Sequence, residues 1–137
     1  MPLLEQVLEK YPRDVRIVEL NFPLNNHKMA RPAAAAALAA WKQGKFWEFH
    51  DRLFQDYDRI TESLIDGIAG ELSLDPARFQ RDRNSQAIND LINRDLRQGQ
   101  QLGVRGTPTI FVNGRRLSNR SLTGFSQMID QELAKGK

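Results

Sequence analysis

The sequence predicts an α/β layered domain with a helical insertion, and three features predict it. An early segment, Val15 to Phe22, is apolar on both alternating sets, the mark of a strand buried on two faces. From Lys28 to about Leu102 the apolar residues recur only at helical spacing. A short apolar run, Thr109 to Val112, then meets Asn113-Gly114, a tight-hairpin signal, and a last amphipathic helix. A strand, a block of helices, a hairpin and a helix are packed in layers around a shared core. The 137 residues suit one domain, 1–137, with the insertion at about 28–102.

Each element has its own reason. Pro2 suits a first helical position, and Leu3, Leu4, Val7 and Leu8 form a stripe that runs to Tyr11 before Pro12 ends it. This helix begins at full amphipathic strength, so a preceding segment is expected. In the strand, Val15 and Ile17 share one face and Val18, Leu20 and Phe22 the other, with Glu19 as the odd member. Two readings of Glu19 stand: a carboxylate reaching water, or a buried proton-handling group with a raised pKa. Arg31 to Gly44 is a helix whose seven alanines between positions 33 and 40 leave a smooth face for close approach. Phe46, Trp47, Phe49, Leu53 and Phe54 mark an aromatic helix. Thr61 caps a helix with Leu64, Ile65, Ile68 and Leu72, and Asp75-Pro76 opens a short one with Phe79. Ser85 to Leu102 carries Ile88, Leu91, Ile92 and Leu96. Arg115 to Leu117 is a third short strand, and Leu122 to Ala134 buries Phe125, Met128, Ile129 and Leu133.

Composition narrows the chemistry. The chain has no cysteine, which removes disulfides, thiolate metal sites and thiol nucleophiles from it. Its two histidines, His27 and His50, fit no metal-site spacing. His50 reads as a packed residue with one hydrogen bond among aromatics, because no nucleophile or metal partner is visible, and His27 as exposed or capping. Phe46, Trp47, Phe49 and Phe54 read as core. The net charge of +3 is mild. From Arg94 to Lys137 there are eight Lys or Arg against three Asp or Glu, but no run of like charges and no interleaved aromatics, so nucleic acid is not expected as a partner. The longest apolar run, Ala33 to Trp41, is nine residues, too short to span a bilayer. No cofactor, metal site or catalytic residue is expected.

Gly103-Val104-Arg105-Gly106-Thr107-Pro108-Thr109-Ile110-Phe111-Val112-Asn113-Gly114 is the most informative stretch. On the tetrapeptide Gly106-Thr107-Pro108-Thr109 alone, a plain loop-to-strand joint and a cis-proline both fit. The stretch resembles the proline loop of thioredoxin-fold disulfide oxidoreductases, and nearly the whole chain resembles the DsbA-like family. Leu3-Leu4-Glu5 to Tyr11 is similar to the part of its first helix that follows the redox dithiol. Val15-Arg16-Ile17-Val18 through Asn21-Phe22-Pro23-Leu24 is similar to its next strand. His27, Ala30, the alanine run, Gly44-Lys45-Phe46-Trp47, His50-Asp51 and Leu53-Phe54 are similar to the start of its helical insertion.

The resemblance implies an incomplete thioredoxin-like fold with a helical insertion, lacking the family's first core strand and its Cys-x-x-Cys motif. It implies a cis-proline loop at Gly106, Thr107 and Pro108 that holds an extended peptide. The expected function is a thiol-disulfide oxidoreductase scaffold without redox activity of its own, since a thiolate is the attacking species in exchange. The alternative is a redox-inactive peptide- or protein-binding module. In the family the missing strand lies between those matching Val15 to Phe22 and Thr109 to Val112. Each buried backbone group left unpaired costs about 1–3 kcal/mol, so the gap is expected to be closed, with a homodimer as the expected means. The expected partner is a polypeptide. With no secretory signal at its start the chain is expected to be cytoplasmic as written, and exported if a longer parent follows the family pattern.

Overall fold

The structure is a computed structural model, and it describes residues 2–23 and 28–136. Asn25, Asn26 and His27 lie outside the described residues. The elements in chain order are α1 (Pro2–Lys10), α2 (Ala30–Trp41), α3 (Phe46–Gln55), α4 (Glu62–Glu71), α5 (Pro76–Arg83), α6 (Gln86–Gln101), β1 (Phe111–Val112), β2 (Arg115–Arg116) and α7 (Leu122–Lys135). They form two compact units, one of residues 2–19 and 106–136, the other of Leu20–Arg105.

The second unit is helical and built around α2, which packs against α3, α4, α5 and α6. Alanine makes this possible, because it favours helix and keeps the helix surface thin enough for four neighbours. Ala36, Ala39 and Ala40 have no exposed surface, and Phe49, Ile65, Ile68, Phe79 and Ile92 close the core around them. The Phe49 and Phe79 rings lie 5.7 Å apart between centroids. Thr61 and Asp75 cap their helices as the sequence predicts, and Ser85 caps the next one. Thr61 Oγ1 accepts from the Leu64 N–H at 3.1 Å, Asp75 Oδ1 from Arg78 N–H at 3.1 Å, and Ser85 Oγ from Ile88 N–H at 3.3 Å. Gly44, at φ +77°, turns the chain out of α2.

The first unit packs α1 on α7 over a hairpin. Val7, Tyr11, Leu117, Phe125 and Ile129 are its buried core. Tyr11 donates its hydroxyl to Asp130 Oδ1 at 2.7 Å, and Lys10 Nζ donates to Ser126 Oγ at 2.9 Å, which fixes the end of α1 on α7. Burial foremost, then the Asp130 hydrogen bond, raises the Tyr11 pKa. The strands are antiparallel, with Phe111 opposite Arg116 and Val112 opposite Arg115. Asn113 and Gly114 have φ +48° and +81°, the double positive φ that a two-residue hairpin turn requires.

Val15 to Phe22 corrects the sequence reading. It is not a strand, and no strand pairs with it among the described residues. Alternating apolarity gives a segment the means to sit in a sheet, but a strand exists only where a neighbour takes its backbone bonds. Val18 is 62% and Leu20 47% exposed. Its last residues bind to α6 instead. The buried Asp95 carboxylate accepts from both the backbone N–H and Nδ2 of Asn21, each at 3.0 Å, and the Phe22 ring lies over Gly99 where a Cβ would be only 2.7 Å from Cδ1. Glu19 is exposed, so the buried proton-handling reading fails and the water-facing one stands.

Candidate functional site

The loop at Gly106, Thr107 and Pro108 leads into β1, and its geometry is set by two bonds that the protein makes to itself. The Thr107–Pro108 peptide bond is cis. The Gly106 carbonyl accepts from Thr109 Oγ1 at 2.6 Å, and the Pro108 carbonyl accepts from Arg120 Nη1 at 3.1 Å. The residue between them is left over. Among the described residues nothing bonds the Thr107 N–H or C=O, and Thr107 and Pro108 are both exposed. An exposed donor and acceptor on one residue, with both flanking carbonyls already held, is a backbone arrangement that an extended chain can meet.

A groove of about 360 Å³ opens beside the loop, lined by Leu3, Leu4, Pro108, Ile110, Arg120 and Phe125. Its walls are apolar except for Arg120. The neighbouring edge of β1 is also open. Leu117 N–H donates to the Ile110 carbonyl at 2.8 Å, so Phe111, one residue on, takes the non-bonded position of the ladder and turns its own N–H and C=O to the far edge. No described strand lies there.

Sequence reasoning named Gly106, Thr107 and Pro108 as the candidate loop and did not name Arg120, Leu3 or Leu4, which the structure places beside it. Arg120 bonds a main-chain carbonyl twelve residues away, a partner that no side-chain pattern announces. Leu3 and Leu4 read as helix stripe, and the stripe faces the groove as well as the core.

The other candidate residues have structural surroundings. His50 is 5% exposed, its Nδ1 lies 3.2 Å from Asp51 Oδ1, and its ring packs against Phe46, Trp47 and Phe54 with centroids 5.7, 5.3 and 4.5 Å away. Of the four aromatics expected in the core, Phe49 is fully buried, whereas Trp47 and Phe54 are 44% and 51% exposed and form an outer layer over His50. Among the described residues no group of three or more His, Asp or Glu side chains is placed to hold a metal ion, and no helix is long and apolar enough to cross a membrane.

The profile of the DSBA-like thioredoxin domain matches residues 7–130. The chain belongs to the DSBA-like thioredoxin family. The probable disulfide bond formation protein D of Bacillus cereus is 33% identical over 142 residues, which cover 97% of this chain and 64% of that protein. The Na(+)/H(+) antiporter NhaA of Herminiimonas arsenicoxydans is 38% identical over 104 residues, covering 76% of this chain and 16% of the antiporter. This DSBA-like chain thus spans under two thirds of the first relative and a small part of the second. Among solved structures, a thioredoxin-like oxidoreductase from Silicibacter pomeroyi DSS-3 superposes with a TM-score of 0.84 at 27% identity, over 98% of this chain and 77% of that one. DsbA from Xylella fastidiosa superposes at 0.71 and 18% identity, over 97% and 79%, a likeness of fold. The DSBA-like fold here is an incomplete thioredoxin-like fold, mostly helical, with a two-stranded sheet and a helical insertion.

Proposed function

We propose that this chain is a polypeptide-binding DSBA-like scaffold with no thiol-disulfide chemistry of its own, and that it holds an extended peptide on Gly106, Thr107 and Pro108. The observation that carries this reading is the unbonded Thr107 N–H and C=O between two carbonyls held by Thr109 and Arg120. A peptide laid along the loop exchanges two backbone hydrogen bonds with Thr107 and places one apolar side chain in the groove of Leu3, Leu4, Ile110 and Phe125. Redox inactivity follows from composition. No sulfur in this chain other than methionine is present, and thioethers do not attack disulfides.

A peptide-array screen of this chain beside its Pro108→Ala variant tests the reading. The expected result is a set of extended apolar peptides retained by the parent and lost by the variant; equal binding by the two rejects the loop as the site. An insulin-reduction assay on the same chain is expected to stay at background, and turnover rejects the inactive reading.

A second reading is favoured by the 64% coverage of the disulfide bond formation protein from Bacillus cereus. In it, this chain is the scaffold part of a thiol-disulfide oxidoreductase whose dithiol lies in a preceding segment. The genomic sequence upstream of the Met1 codon decides between the two. An in-frame Cys-x-x-Cys supports the oxidoreductase, and a stop codon in that frame removes it.

A further inference from the structure

A separate groove of about 450 Å³ opens on the helical unit, between Trp41 and Lys42 at the end of α2 and the face of α6 that carries Asp90, Leu91, Arg94 and Arg97. Two features set it apart. The first is Trp41, 56% exposed although it ends the most buried helix of the chain. A large aromatic surface beside a concavity is the usual anchor of a protein contact. The second is charge. Elsewhere in this unit most guanidinium groups meet a carboxylate: Arg52 with Glu71 at 2.8 Å, Arg83 with Glu62 at 2.6 Å, and Arg59, Arg78 and Arg81 each within 4.0 Å of an aspartate. Arg31 instead bonds Asn89 and Asn93, and Arg105, outside the groove, meets no carboxylate among the described residues. Lys42, Arg94 and Arg97 line the groove, are exposed, and have no carboxylate within salt-bridge distance among the described residues. The only carboxylate in the lining, Asp90, already accepts from Gln86 Nε2 at 2.7 Å. Three cations against one anion leave the rim with two positive charges in excess.

We propose that this groove docks an acidic peptide segment of a partner protein, one that carries a bulky apolar side chain between carboxylates. The apolar side chain lies on Trp41 and Leu91. The carboxylates meet the Lys42 ammonium and the Arg94 and Arg97 guanidinium groups, and the guanidinium groups bond carboxylate through two parallel N–H donors. The concavity favours a narrow chain over a flat anionic lipid surface. The site lies wholly within Leu20–Arg105 and does not depend on the proline loop.

The test uses the chain with Trp47→Phe, which leaves Trp41 as the sole indole reporter. The probe is an acetylated, amidated peptide of sequence GEDFEDG, titrated by tryptophan fluorescence. A saturable change with a dissociation constant below about 1 mM is expected. Arg94→Gln combined with Arg97→Gln should weaken it at least about fivefold. Raising salt from about 20 mM to about 300 mM should weaken the parent's binding in the same sense, which needs no variant to fold. The basic counterpart GKRFKRG should not bind, and GEDGEDG should bind more weakly. Unsaturable titration, equal binding of the acidic and basic peptides, or binding unchanged in the double variant overturns the proposal. So does binding of anionic phosphatidylserine vesicles through Arg94 and Arg97 when the peptide fails.

Discussion

The Asp95→Ala substitution measures how the Asn21–Phe22 end of the Val15 to Phe22 segment is held on α6. In the parent, a single oxygen of Asp95, a residue only 4% exposed, accepts from the backbone N–H and the Nδ2 of Asn21, each at 3.0 Å. Truncation removes both bonds and leaves a half-buried backbone N–H with no acceptor. A hydrogen bond to a charged acceptor contributes about 1.5–3 kcal/mol, and an orphaned donor costs about 1–3 kcal/mol. Removing a buried carboxylate also relieves its desolvation, which offsets part of this loss. The net expectation is a loss of about 2–3 kcal/mol. Asn21→Ala removes only the Nδ2 bond and should cost about 1 kcal/mol. Because the two residues share that bond, the double variant should be more stable than additivity by about 1 kcal/mol. Urea unfolding followed by far-UV circular dichroism reads all four proteins. An Asp95→Ala loss below about 0.5 kcal/mol, the usual range for surface changes, would falsify the claim that α6 anchors that end of the segment.

Three further outcomes are expected. Gly124→Ala places a Cβ against the Asn119 carbonyl oxygen and within 2.8 Å of its Cβ and Cγ; steric cost of about 1–3 kcal/mol outweighs a helix-propensity gain of about 1 kcal/mol, so thermal melting should show net destabilisation, and a stabilised variant refutes the contact. The Lys135 ammonium first, then the Arg115 guanidinium, hold the Glu132 carboxyl down from its ordinary 4.5 to about 2. The folded value lies below the unfolded one, so this contribution is present above pH 4.5 and is lost as pH falls toward about 2; the urea midpoint should drop across that window in the parent and less in Glu132→Gln, and equal slopes count against the triad. We propose that the open edge of β1 is closed by a second copy of the chain, and light scattering after gel filtration should report a dimer at micromolar concentration, whereas a well-folded monomer rejects that closure.

The helices were legible in the sequence where an apolar stripe and a cap coincide. Thr61, Asp75 and Ser85 each accept from the backbone N–H three residues on, and each is followed by residues that the structure buries, Ile65, Phe79 and Ile88. Both signals are local, so a single sequence carries them whole. Val15 to Phe22 was misread because its pattern is local while its fate is not: alternation reports which residues prefer burial, and pairing depends on another stretch of chain. The site shows the same division. Gly106, Thr107 and Pro108 stand out by residue type, since proline after a β-branched residue restricts the backbone by itself. Arg120 does not, because its partner is a carbonyl and every residue has one. Trp47 and Phe54 were expected in the core on hydrophobicity alone, but helix α3 buries only one face, and Phe49, His50 and Leu53 occupy it.

The proline loop and the open edge of β1 have one physical origin. A two-stranded hairpin with two residues in each strand has little stability in isolation. Here it persists because α1 and α7 supply the apolar cover. Ile110 and Val112 pack against the cluster of Val7, Tyr11, Leu117, Phe125 and Ile129, and the Tyr11 and Lys10 side chains tie α1 to α7 from the opposite end of the chain. The unit is therefore held by side-chain packing, and the backbone groups of Thr107 and Phe111 contribute almost nothing to its fold. Groups that stability does not require are the ones that remain available to another chain. A substitution that weakens the cover away from the groove, such as Ile129→Ala, is expected to act on stability, while one at Thr107 or Pro108 is expected to act on the peptide binding proposed for the loop.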